Sequence, residues 1–112
     1  VVCHYSPFPE DSVTLAAGDV VKVDLGCHID GFAALAANTV VIPDENMDAA
    51  KKAEINDLMA AARLMGEVCQ RVIRPGNTNT QVTKALATVA KAYDVHLIQG
   101  TLMHQVSCSS RA

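Results

Sequence analysis

Residues 22–39, KVDLGCHIDGFAALAANT, read as a β-hairpin whose loop is Asp30-Gly31. Two-residue hairpin loops favour Asp-Gly because both central positions need positive φ, which glycine adopts freely and aspartate tolerates. The Val-rich run between Gly18 and Gly26 predicts a strand over residues 20–25, and the returning strand runs from Phe32 to Ile42 and stops at Pro43. Counting outward from the loop sets Ile29 opposite Phe32 and Asp24 opposite Ala37. Side chains alternate between faces, so Leu35 shares the face of Asp24 as its diagonal neighbour, about 7–8 Å away between backbones and within side-chain reach.

A carboxylate inside an apolar strand needs a reason. Carboxylates at both 24 and 35 could jointly hold a pair of divalent metals, the usual start of a dinuclear hydrolase site. Leucine has no oxygen to give, so the geometry for two metals is present and the chemistry is not. The plainer reading is that Asp24 shares the polar face of its strand with Lys22 and is solvated. Both readings stand on the sequence alone.

Beyond the hairpin, Ile55, Leu58, Met59, Ala62, Met65, Cys69, Val72 and Ile73 recur at three- and four-residue steps, which predicts one long amphipathic helix from Ala49 to Ile73. Pro75 and Gly76 end it. Thr78 and Gln81 have capping-box spacing for a second helix, with Val82, Ala85, Leu86, Val89 and Tyr93 as its apolar stripe. The opening run VVCHYSP, residues 95–99 (VHLIQ) and residues 101–106 (TLMHQV) read as further short strands. Strands, two helices and strands again give an α+β fold: an antiparallel sheet with two helices on one face.

The chain has 112 residues, half of them hydrophobic, and a formal net charge of −3, so it is read as one globular unit with no basic block for a polyanion or a membrane. No apolar run nears the roughly 20 residues of a bilayer span, and residues 1–20 have no signal-peptide pattern, which points to a soluble intracellular protein. Cys3, Cys27, Cys69 and Cys108 form no Cys-x-x-Cys pair and read as reduced structural thiols. His28 and His96 have no partner at ligand spacing and read as structural or surface residues. Met59 and Met65 fall on the helical stripe and read as packing. Arg63, Arg71, Arg74, Lys84 and Lys91 lie on two adjacent helices and read as a solvated face, in a chain of net negative charge, ahead of the alternative of a phosphate contact. Cys3 and His4 are adjacent on a strand and point to opposite faces, which argues against cysteine catalysis.

Four stretches carry a family resemblance: VCHYSP at 2–7, GDVVKVDLGCHIDGF at 18–32, RPGNTNTQV at 74–82 and GTLMHQ at 100–105. Together they resemble the pita-bread proteins related to type-two methionine aminopeptidases, and more closely the proliferation-associated, ErbB-receptor-binding proteins, the non-peptidase branch. The likeness covers nearly the whole chain and departs only at the tail SCSSRA. With the opening run lacking Met, it implies that residues 1–112 are the N-terminal portion of a pita-bread domain, half of which lies outside them and packs against this half.

In the aminopeptidases, the resemblance implies, the position of Asp24 is the first aspartate ligand, that of Leu35 the bridging aspartate, His104 a histidine ligand and His4 a histidine near the substrate. Two glutamate ligands belong to the other half. With Leu35 in place of the bridging carboxylate, the expectation is a vestigial pocket of His4, Asp24, Leu35 and His104 with no cofactor, its polar groups satisfied by one another, as where His104 holds Asp24, by water or by a weakly held single metal. The implied function is a binding module, a pseudoenzyme associated with the ribosome or structured RNA and with protein partners, in ribosome biogenesis, translation control and growth regulation. Its implied location is cytoplasmic and nuclear or nucleolar. The rival reading is a metal-dependent methionine aminopeptidase with a metal site built differently.

Overall fold

The structure, a computed structural model, describes residues 8–100. A 3-10 turn at Pro9–Asp11 leads to strand β1 (Val20–Ile29), strand β2 (Phe32–Val41), helix α1 (Ala49–Val72) and helix α2 (Asn79–Ala92). The two strands form an antiparallel ladder without a bulge, from Val20 opposite Val41 to Ile29 opposite Phe32. The loop is the expected two-residue turn: Asp30 has φ 50° and Gly31 φ 83°, both left-handed as a type I′ turn requires. Two further backbone hydrogen bonds carry the pairing past the ladder, Gly18 N–H to the Ile42 carbonyl at 3.0 Å and Ile42 N–H to the Asp19 carbonyl at 2.9 Å.

The first strand is longer than expected. It runs to Ile29 rather than residue 25 because a tight turn zips the ladder to its tip, and Gly26 stays within it opposite Leu35. Residues 95–99, expected as a strand, are not one: 95–98 carry no regular structure and Gln99 lies in a turn. A strand exists through its pairing partner, and none pairs here among the described residues. The backbone instead completes the end of α2. Val95 N–H donates to the Ala90 carbonyl at 2.9 Å and Asp94 N–H to Lys91 at 3.4 Å, with Asp94 at φ 52°. These are the bonds of a Schellman motif, in which Asp94 takes the left-handed position usually filled by glycine. The strands expected at VVCHYSP and 101–106 lie outside the described residues.

Each helix end is satisfied from the sequence around it. Asp48 caps α1, its carboxylate accepting from Ala50 N–H at 3.1 Å and Lys51 N–H at 3.3 Å. At the other end Asn77 Nδ2 donates to the Val72 carbonyl at 2.7 Å, using a carbonyl the helix leaves open. The capping box of α2 is complete: Thr78 Oγ1 accepts from Gln81 N–H at 3.4 Å, and Gln81 Oε1 from Thr78 N–H at 2.7 Å. Among the described residues the buried apolar ones, Ala61 on α1 and Val82, Val89 and Ala90 on α2, come from the two helices, which pack on each other. Among the described residues no hairpin side chain is buried. No described helix is long and apolar enough to cross a membrane.

Candidate functional site

The register pairs the two strands as the loop arithmetic predicted. Asp24 lies opposite Ala37, and Gly26, two residues on and on the same face, lies opposite Leu35. Asp24 and Leu35 are therefore diagonal neighbours on one face of the hairpin. Leu35 uses the space this leaves: a methyl group added at Gly26 would collide with Leu35 Cδ2, so the leucine side chain lies across the bare backbone of Gly26. Glycine at 26 and leucine at 35 thus fit one another. Leu35 is still 68% exposed, so the described residues leave its outer surface uncovered.

Beside Asp24, the base of the hairpin and the middle of α1 enclose an open cleft of about 930 Å³. Lys22, Asn38 and Thr39 from the strands and Met59 and Arg63 from the helix line it with Asp24. Among the described residues the Asp24 carboxylate makes no hydrogen bond or ion pair. Arg63 is drawn along its own helix, with Nε 3.8 Å from Glu67, and Arg71 Nη1 is 3.6 Å from the other oxygen of Glu67. With the Arg63 side chain 86% exposed, such a pair adds little stability. It does keep a guanidinium at the rim of the cleft.

The metal implied by the resemblance finds no donor set here. A dinuclear centre needs several oxygen or nitrogen ligands converging on one point, and no three His, Cys, Asp or Glu side chains gather among the described residues. The residue diagonal from Asp24 is a leucine. Of the ligand positions that the resemblance implies, the described residues hold only 24 and 35, a carboxylate and a leucine. His4 and His104, the other two residues of the expected pocket, lie outside the described residues.

The remaining side chains fall out simply. His28 and His96 are exposed, and Met59 and Met65 are half-buried on α1. Cys27 and Cys69 are free thiols, Cys27 exposed and Cys69 half-buried. Asn38 and Thr39 were not singled out from sequence, although the register alone sets Val23 opposite Asn38 and Lys22 opposite Thr39. Arg63 and Met59 carried no such signal, since nothing local says that α1 passes Asp24.

The chain is similar to known proteins over nearly all of its length. The model of metallopeptidase family M24 matches residues 1–110. ErbB-3 binding protein 1 of Arabidopsis thaliana is 44% identical over 94% of this chain and 26% of its own length. Proliferation-associated protein A of Dictyostelium discoideum is 38% identical over 94% of this chain and 27% of its own. A methionine aminopeptidase of Thermococcus onnurineus is 31% identical over 95% of this chain and 33% of its own. The chain spans about a quarter of the length of the first two relatives.

Proposed function

Because the chain belongs to metallopeptidase family M24, with its pita-bread α+β fold, we infer that it is the N-terminal portion of an aminopeptidase-like domain that binds without catalysing. Leu35 carries this reading. It occupies the diagonal position from Asp24 where a second carboxylate would be needed to share two cations, and it lies across Gly26. Without that carboxylate the site lacks the negative charge that would hold both ions and lower the pKa of a shared water. Over nearly the whole chain, identity is higher to the proteins named for ErbB-3 binding and proliferation, 44% and 38%, than to the aminopeptidase matched over the same span, 31%, which supports the same side.

In this reading His4, Asp24, Leu35 and His104 form a vestigial pocket and no cofactor is held. The module works by association with the ribosome or structured RNA and with protein partners, in ribosome biogenesis, translation control and growth regulation, in the cytoplasm and the nucleus or nucleolus. The rival is a metal-dependent methionine aminopeptidase, favoured by the retained Asp24 and by the 31% identity to an enzyme of that name. Elemental analysis of the full-length protein beside a Met-peptide cleavage assay separates the two. Substoichiometric metal and no cleavage are expected. Two equivalents of cobalt, manganese or zinc with turnover would establish the enzyme instead.

A further inference from the structure

We propose that Asp30-Gly31 is a site of spontaneous covalent modification, at which the aspartate isomerises to isoaspartate through a cyclic imide and unlocks the hairpin that holds Asp24 and Leu35 together. In the first step the Gly31 backbone nitrogen attacks Asp30 Cγ. A carboxyl oxygen leaves as water, taking the nitrogen's proton, and a five-membered succinimide remains. Water then adds to one of the two ring carbonyls. Opening at the main-chain carbonyl leaves the chain running through Cβ and Cγ, and the composition returns to its starting value. No oxidant, metal or enzyme is required.

Three features of the turn favour this chemistry. The residue after the aspartate is glycine, and nothing lies within 4 Å of where a Cβ would stand, so no side chain obstructs the attack. Asp30 is exposed and held at φ 50°, a left-handed conformation that aspartate adopts less readily than glycine and does not lose by leaving. The closing pair of the ladder is Ile29 and Phe32, 75% and 69% exposed, so little packing resists opening of the tip. Ring closure requires rotation about the Asp30 Cα–C bond out of the turn. Local opening is easiest where few apolar contacts are lost. The rate is therefore set by how often the tip opens.

The consequence reaches the site. An isoaspartyl link lengthens the two-residue loop by one main-chain carbon, and a type I′ turn cannot absorb it. Register in a hairpin is fixed by its loop, and a slip of one residue exchanges the faces of a strand. Asp24 and Leu35 would then no longer share a face.

Incubating the full chain at physiological pH and temperature, with and without urea, tests this. Isoaspartate is read by methyl transfer from labelled S-adenosylmethionine with an isoaspartyl carboxyl methyltransferase, and located by peptide mapping. Label is expected to accumulate at residue 30 in the folded chain, faster in urea, and to be lost in Asp30→Glu, whose longer side chain would need a six-membered ring. The labelled fraction should show faster amide exchange in β1 and β2 with α1 and α2 unchanged. Absence of label at residue 30 in the folded chain, or an isomerised fraction whose hairpin amides exchange as before, overturns the proposal.

Discussion

The helical pair and the hairpin are stabilised in opposite ways. Between α1 and α2, Ala61, Val82, Val89 and Ala90 are buried and each helix has a capped start and a satisfied end. The hairpin has ten paired residues in each strand and no buried side chain among them. Its apolar face, with Leu25, Ile29 and Phe32, is exposed. The helices hold each other, whereas the hairpin is specified by its turn and register and depends on whatever covers its faces. An isolated two-stranded hairpin is marginal in water, and three strands or a packed helix are needed for independent stability. The candidate site stands on the weaker of the two regions.

The difference predicts an unequal response to the same insult. Val82→Asp buries a charge between the helices and should cost about 4 kcal/mol, seen as loss of helical circular dichroism at a much lower temperature. Leu25→Asp, the same kind of change on the exposed hairpin face, should stay within about 0.5 kcal/mol. Equal losses would mean that the hairpin face is covered and the contrast is wrong.

A smaller effect is expected at the turn. Gly31→Val forces a β-branched residue into φ 83° and should cost about 1–3 kcal/mol. Amide exchange should quicken across β1 and β2 and leave α2 protected. An unchanged unfolding midpoint would contradict the two-residue turn.

The smallest effect belongs to the helix start. Thr78→Ala removes one side of the capping box and should lower stability by about 1 kcal/mol. Exchange at the first amides of α2, Gln81 above all, should quicken while the hairpin stays as it is. Uniform quickening over both regions would show that they unfold as one unit.

Much of this contrast was legible in the sequence. Asp30-Gly31 and the alternation around it were enough to set Asp24 opposite Ala37, because a hairpin is local and its loop fixes every pair above it. The capping box at Thr78 and Gln81 was legible for the same reason. The segment 95–99 was misread because VHLIQ has the composition of a strand, and composition says nothing about a partner. Asp94 instead turns the chain into the closing bonds of α2. Of the candidate site, the diagonal from Asp24 to Leu35 followed from counting. That Leu35 lies over Gly26, and that Met59 and Arg63 come from α1 to the same cleft, depends on side-chain direction and on the placing of a helix that follows in sequence. Neither is written in a local pattern.

The central claim is that residue 35 decides what the Asp24 face can hold. The most direct test is to titrate manganese into the full-length protein and its Leu35→Asp variant and compare affinities. The variant returns a carboxylate to the diagonal position, with the oxygens that leucine lacks. Binding should tighten by about tenfold or more, equivalent to about 1.4 kcal/mol, while wild type binds negligibly. Equal and negligible binding by both would show that Asp24 and residue 35 do not serve one pocket, and would contradict the account.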